Sequence, residues 1–569
     1  MGMEVLRVVA AGLLSLLLAS TLVEARELRV LHITDIHLDL DYAHGSNALC
    51  ARPPCCKRGG QRGGLPGGAE VDGRGERREG DRGREGRASA GASNAVAEGG
   101  VGAGKLGSWN CDSPLALLHS ALSAARSVKP DIIVWTGDTL PHDSGKENLG
   151  RELGRERALA TISNATGAFR AAFSDYFGVG QGELQPGNEG GEEFTGKIFP
   201  VLGNYDFYPT HTDPGSPGHN WLTESLATGA WRDLLGSGEA RRTFAHGGFY
   251  KSEIRLGATQ GGARAYVIGL NTEVCHVKNY HAFSHEVDAQ EQLEWLRVTL
   301  SDLESTGAKA ILIGHIPPGL WSGCWGEYSE VYEEIVSSYT GVIAAQLYGH
   351  QHSGSFRVFY DREREAGKGD GFLSRASGVA YVTPSLTPFK NLLPSFRIYT
   401  IALDGEEAGG DQQTRRPMVT KFTQYFLDLV KYQAPKEEDV VAWYISFTAP
   451  QSLGIPNLAP RTWRVVADRL LSNKTVRDDY MRLEANGREG GFMGSKGQLR
   501  AYPCGVMHVA NSPLMECSKQ NEEQFIRDYT GKEHTYVLTT MFDFEVLMGE
   551  FCESMEGFLR SDCMKRRVN

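Results

Sequence analysis

The sequence predicts an α/β fold continued by a mostly helical, cysteine-bearing tail. Three observations carry that expectation. Short runs of β-branched and aliphatic residues recur up to about residue 405, with helix-period stretches between several of them. Nearly every core run ends in a side chain able to ligate a metal, and an open α/β sheet presents such groups together at the carboxyl ends of its strands. Beyond residue 405 the periodicity turns mostly helical.

In chain order the core strand candidates are Leu28–Ile33, Asp131–Thr136, Lys197–Leu202, Tyr266–Leu270, Lys309–Ile313 and Gln346–Tyr348. Ser355–Tyr360, Val379–Thr383 and Ser395–Leu403 follow. Pro114–Val128, Gln290–Leu303 and Glu327–Ser338 read as helices between them, and Arg461–Leu471 and Glu522–Tyr529 as helices of the tail. Residues 57–107 break this pattern. Seventeen of those 51 residues are Gly, many interleaved with Arg and Glu, and none is aromatic. A segment so poor in apolar surface cannot offset its ordering entropy, so a disordered surface insertion is expected.

A chain of 569 residues suits one large domain with an appendage, and 41% hydrophobic residues suffice for a sizeable core. With 70 Asp+Glu against 59 Lys+Arg, the net charge of -11 argues against a binder of nucleic-acid polymers. Residues 1–25 read as a secretory signal: Arg7, an apolar stretch over Val8–Val23, and small residues at Val23 and Ala25. The apolar run is shorter than the ~20 residues of a bilayer span, and no later stretch spans one, so a secreted or lysosomal protein is expected. Export makes disulfides the expected state of the ten cysteines. Cys50, Cys55, Cys56 and Cys111 are expected to pair among themselves, as are Cys504, Cys517, Cys552 and Cys563, with Cys275 and Cys324 a third group; spacing leaves the connectivity open. Asn164-Ala165-Thr166 and Asn473-Lys474-Thr475 are glycosylation acceptors.

The chemistry sits at the strand ends. The first strand gives Asp35 and His37, two apart and so able to point the same way. Later strands give Gly137-Asp138, Gly203-Asn204, Gly314-His315 and Gly349-His350-Gln351-His352. Each pair alone is weak evidence; their fixed order at successive strand ends is not. Mixed His and carboxylate ligation suits zinc, iron or manganese, and one shared Asp can bridge two cations that activate water and clamp a phosphoryl group.

These blocks resemble the calcineurin-like metallophosphoesterase superfamily, and within it the acid sphingomyelinase and acid sphingomyelinase-like phosphodiesterases. Trp109–Pro114, Trp135–His142, Gly247–Tyr250, Gln292–Leu296, Gly314–Gly319 and Tyr348–His352 carry the resemblance. It implies a two-sheet α/β sandwich over residues 26–405 and a helical, disulfide-linked subdomain over 406–569. It implies two zinc ions, one held by Asp35, His37, Asp138 and His352, the other by Asp138, Asn204, His315 and His350. It also places His142 near the scissile phosphate. The family has His after the metal-binding Asn, whereas this chain has Tyr205, a weaker acid with a reference pKa of ~10 against ~6.5. His142 and Tyr205 are therefore the candidate catalytic residues.

The expected function is a binuclear zinc phosphodiesterase in which metal-bound hydroxide attacks phosphorus. Its partner would be a small phosphodiester, nucleotide or phospholipid, met by a monomer with at most peripheral lipid contact. Sphingomyelin cleavage to ceramide and phosphocholine is the runner-up, and a non-catalytic zinc glycoprotein the alternative that Tyr205 keeps open. A purple-acid-type phosphomonoesterase is disfavoured because Pro141 stands where that group has a metal-binding Tyr. His32, His119, His211, His219, His246, His276, His281 and His285 read as locally bonded or solvated.

Overall fold

The computed structural model describes residues 27–50, 53–58, 102–144, 151–176, 196–211, 220–255, 264–279, 289–361, 376–404, 416–432, 441–486 and 506. Two six-stranded sheets pack face to face. The first contains β1 (Glu27–Ile33), β2 (Ile132–Thr136), β3 (Ile198–Val201), β10 (Ser395–Ala402), β11 (Met418–Leu427) and β12 (Trp443–Ala449), in the order β12-β11-β10-β1-β2-β3. The second contains β4 (Tyr250–Ile254), β5 (Ala265–Gly269), β6 (Lys309–Ile313), β7 (Ile343–Tyr348), β8 (Ser355–Tyr360) and β9 (Ala376–Val382), in the order β4-β5-β6-β7-β9-β8.

Within the first sheet β1, β2 and β3 are parallel, with Val30 opposite Ile132 and Ile133 opposite Ile198. Within the second, β5, β6, β7 and β9 are parallel, and the antiparallel β4 and β8 close its edges. Parallel strands are covered on both faces and so read as continuous apolar runs: all five residues of β2 (IIVWT) are buried. Leu31, Trp135, Phe199, Ile311, Ile313, Leu347, Val358 and Phe396 share one core. The outer face of the second sheet packs Ile268, Leu312 and Tyr348 against Leu296 and Leu300 of the helix Ala289–Ser305 and Tyr332 of the helix Gly326–Ser338.

Three expectations need correction. The chain does not turn helical at residue 405: β11 and β12 extend the first sheet, and only then do the helices Pro460–Ser472 and Lys474–Glu484 follow. Both strands are rich in β-branched and aromatic residues, a weaker signal in the sequence than the helical pattern after them. The helix Pro460–Ser472 packs Trp463 against Phe356 of β8, ring centroids 4.3 Å apart, so this part of the tail belongs to the sandwich core. The expected insertion also ends earlier than residue 107. Ala103 and Leu106 are buried, and Ala103 exchanges backbone hydrogen bonds with Ser46 and Gly45. Finally, Arg151–Ala172 forms a helix that the sequence reading does not include, with Ala158, Ile162, Ala165 and Phe169 as its buried, helix-spaced apolar stripe.

Cys50–Cys55, Cys56–Cys111 and Cys275–Cys324 form disulfides, in keeping with the expected groupings. Residues 1–25, the Glu522–Tyr529 helix and Cys504, Cys517, Cys552 and Cys563 lie outside the described residues. Among the described residues no helix is long and apolar enough to cross a membrane.

Candidate metal centre

Every predicted ligand sits just beyond the carboxyl end of a parallel strand: Asp35 and His37 after β1, Asp138 after β2, Asn204 after β3, His315 after β6, His350 and His352 after β7. Adjacent parallel strands of two facing sheets end at one rim, which brings these seven side chains together. Five of them, Asp35, His37, Asp138, His350 and His352, hold the left-handed backbone, with φ between 43° and 70°. Non-glycine residues adopt that region at a cost, and its concentration here marks a site held open for function.

The atoms form two clusters sharing one carboxylate. Asp35, His37, Asp138 and His352 place ligand atoms within 4.8 Å of one another, and so do Asp138, His315 and His350. In the first, His37 Nε2 lies 3.2 Å from His352 Nε2 and 3.4 Å from Asp138 Oδ2, with His352 Nε2 3.3 Å from Asp35 Oδ1. In the second, His315 Nε2 lies 3.2 Å from Asp138 Oδ2, while Asn204 Oδ1 is 3.1 Å from His315 Nε2 and 2.9 Å from His350 Nδ1. Donors bound at ~2.0–2.1 Å around one tetrahedral cation stand about 3.3 Å apart, so these separations fit a metal at each cluster.

The tautomers agree. His37 Nδ1 donates to the Leu140 carbonyl at 2.8 Å and His315 Nδ1 to the Thr136 carbonyl at 2.6 Å, which turns both Nε2 atoms toward the clusters. Asp35 Oδ1 is buried with no hydrogen-bond partner, as expected of an oxygen meant for a cation. Burial, with the neighbouring His142 and His352, lowers His37 to about 3; burial with His315 does the same for His350. Those imidazoles are neutral and ready to ligate. Burial also opposes charge on His315, but Asp138, Asp35 and the Thr136 carbonyl outweigh it and raise this imidazole to about 9. It thus offsets the Asp138 charge, which the His315 and His37 rings hold well below the usual carboxylate range against the effect of burial.

The loops are built around two close approaches. A Cβ at Gly203 would fall on the Asp138 backbone nitrogen and Oδ1. One at Gly349 would fall on Thr34 Oγ1 and lie 2.6 Å from Asp35 Oδ2. Glycine is required at both because the ligand loops touch backbone to carboxylate.

The residues in contact with the ligands include several that sequence reasoning did not single out. Asp206 is fully buried and accepts from Thr139 N (2.6 Å), Leu140 N (3.2 Å) and Gly203 N (2.7 Å), tying the Asp138 loop to the Asn204 loop. Its place in Gly203-Asn204-Tyr205-Asp206 was the available signal. Asp112 accepts from the His142 backbone N–H at 2.8 Å and faces His142 Nδ1 at 2.7 Å, fixing a ring stacked on His37 at 3.8 Å between centroids. The His142 Nε2 is buried without a hydrogen-bond partner. Burial, with Lys390, lowers this imidazole to about 3, so it rests neutral.

Tyr205 packs its half-buried ring against His37 (5.3 Å) and His142 (5.0 Å). Burial and the Asp138 charge push its hydroxyl up to about 12, further from the acidity of the His it replaces. Two histidines read as bland belong here: His276 contacts the His350 ring and His211 the Tyr205 ring. The signal of His276 was hidden because the loop after β5 carries no Gly-ligand dipeptide, and that of His211 because it lies seven residues beyond Asn204 in the loop after β3. His32 is locally bonded as expected, between Thr136 and Thr383, and His246 pairs with Glu291 at the surface.

The family model described as "Calcineurin-like phosphoesterase" matches residues 28–354, more than half of the chain and the whole span of the seven predicted ligands. The chain belongs to this family. Among its relatives, the sphingomyelin phosphodiesterase of Homo sapiens is 30% identical over 488 residues, covering 84% of this chain and 61% of that protein. The sphingomyelin phosphodiesterase B of Dictyostelium discoideum is 28% identical, covering 80% and 58%. The acid sphingomyelinase-like phosphodiesterase 3b of Mus musculus is 27% identical, covering 72% and 81%. The resemblance drawn from the motifs thus extends over most of this chain, which spans about three fifths of the length of the first two of these relatives.

Proposed function

We propose that this phosphoesterase is a secreted or lysosomal binuclear zinc phosphodiesterase of the acid sphingomyelinase-like type. The observation that carries the reading is the shared Asp138, which belongs to both ligand clusters. A carboxylate between two imidazole-rich clusters suits two zinc-class cations a few ångströms apart and is a poor cage for calcium. One would be held by Asp35, His37, Asp138 and His352, the other by Asp138, Asn204, His315 and His350. Bound there, such a pair supplies an activated water and a clamp for the phosphoryl oxygens of an in-line displacement.

The chain's own residues do the rest. His142 gives its Nδ1–H to Asp112, so Nε2 carries the lone pair at rest. An arriving phosphate anion favours a proton on Nε2, Asp112 stabilises the imidazolium, and Nε2 can then hand that proton to the departing oxygen. Tyr205 can donate a hydrogen bond to the phosphate, but it is a poorer acid than the histidine it replaces. Export is supported by the leader-like residues 1–25, the disulfides, and the exposure of both acceptor asparagines, Asn164 and Asn473.

The test is hydrolysis of bis-p-nitrophenyl phosphate by the full-length, zinc-loaded chain at about pH 5 and 7, bracketing the His reference value. Turnover that a chelator abolishes and zinc restores is expected. No turnover by a chain carrying two zinc ions would replace the enzyme with the non-catalytic zinc glycoprotein. The names of the sphingomyelin phosphodiesterase relatives favour sphingomyelin as a second reading for the substrate. Release of phosphocholine from sphingomyelin vesicles, compared with hydrolysis of a nucleotide diester, decides between them.

A further inference from the structure

The loop after β5 carries a third cluster. Glu273 lies within the short turn Thr272–Cys275, a 3₁₀ helix in which residues three apart lie one above the other, and His276 directly follows it. His211 comes from the other sheet, on the loop that follows Asn204, and its backbone N–H donates to the Asn204 carbonyl at 3.2 Å. His211, Glu273 and His276 place their ligand atoms within 4.8 Å of one another. Glu273 and His276 are buried, and the His211 side chain is 20% exposed.

We propose that His211, Glu273 and His276 bind a third zinc-class divalent cation beside the binuclear centre. The carboxylate sits between the rings: Glu273 Oε1 is 3.8 Å from His211 Nδ1 and Oε2 is 3.6 Å from His276 Nδ1. Direct N–H···O hydrogen bonds close to ~2.7–3.2 Å, so neither pair makes one, whereas donors sharing a cation at ~2.0–2.1 Å stand about 3.3 Å apart. Both imidazole Nδ1 atoms are buried without a hydrogen-bond partner. Two imidazoles and one carboxylate are a zinc-type set of three with a fourth position open, and the partly exposed His211 side is where water or a ligand oxygen reaches it.

The turn is braced for this. Thr272 Oγ1 accepts from His315 N (3.1 Å) and Ile316 N (2.7 Å), the Trp325 N–H donates to the Cys275 carbonyl at 2.8 Å, and Cys275 is disulfide-bonded to Cys324. The His276 ring stands 5.5 Å from that of His350, so the third cation lies one imidazole away from the second cluster. Glu273 supplies the negative charge that a third dication needs there, against the exposed Lys278. The site stands independently of the phosphodiesterase reading, since its ligands are a separate set.

Zinc is counted by elemental analysis on the full-length secreted chain, loaded with zinc and dialysed, beside Glu273→Gln and His211→Ala. Circular dichroism checks that each variant is folded. About three zinc per chain, falling to about two in both folded variants, is expected. Cobalt substituted for zinc gives a second readout: Glu273→Gln should bind about one cobalt fewer per chain, with a loss of visible absorption. Two zinc in the natural chain, or three retained in either folded variant, overturns the third site and leaves the binuclear reading standing. Fewer than two overturns both.

Discussion

Replacing Asp206 by Asn tests whether the metal centre depends on the tie between two loops rather than on the ligands alone. The Asp206 carboxylate accepts three backbone N–H groups, two at Oδ1 and one at Oδ2. Asparagine can keep the two Oδ1 bonds through its carbonyl. Its amide then meets the Gly203 N–H donor to donor, in a fully buried place. An unsatisfied buried donor costs about 1–3 kcal/mol, so Asp206→Asn should cost about 1–3 kcal/mol. The strain falls on Gly203 and Thr139, the neighbours of ligands Asn204 and Asp138, so zinc affinity should fall about 10–100-fold. Urea unfolding with and without saturating zinc gives the first number, and competition with a chromophoric chelator gives the second. A variant within 0.5 kcal/mol of the natural chain, with unchanged zinc affinity, would refute the tie, since surface changes lie in that range.

Three further outcomes are expected. Gly349→Ala places a Cβ on Thr34 Oγ1 and against Asp35 Oδ2, so it should lower zinc content at fixed free zinc and reduce turnover at least tenfold, while preserving the far-ultraviolet circular dichroism. Tyr205→His restores an imidazole with a reference pKa near 6.5, and kcat toward a chromogenic diester should rise about tenfold or more with the zinc count unchanged; no rise would mean that proton transfer does not limit the natural chain. Arg397 is buried, contacts Glu484 and donates to Gln424 Oε1 through both Nε (2.9 Å) and Nη2 (2.7 Å). Arg397→Met strands the buried Glu484 charge and should cost about 3–5 kcal/mol in denaturant unfolding, most of it recovered by adding Glu484→Leu; an equally unstable double variant would contradict that account.

The sequence by itself determined the α/β class, the strand ends that matter and the seven proposed ligands, because each is a local fact: a hydrophobic run, then a turn, then a polar group. Asp35 and His37 were legible from two-residue spacing, and His350 and His352 from the same pattern. The departure at Tyr205 was equally plain, since it concerns a residue type and not a contact. The tertiary structure decided what depends on segments far apart in the chain. Asp206 and Asp112 matter through backbone N–H groups 66 and 30 residues away, which no spacing rule reports. β11 and β12 join the first sheet beside β10, a pairing that alternation permits but does not specify. Glu273 and His276 lie on one turn, yet only the docking of the Asn204 loop from the other sheet brings His211 to them. A lone histidine becomes a candidate ligand when folding delivers the other donors, and that information resides in the packing of the two sheets.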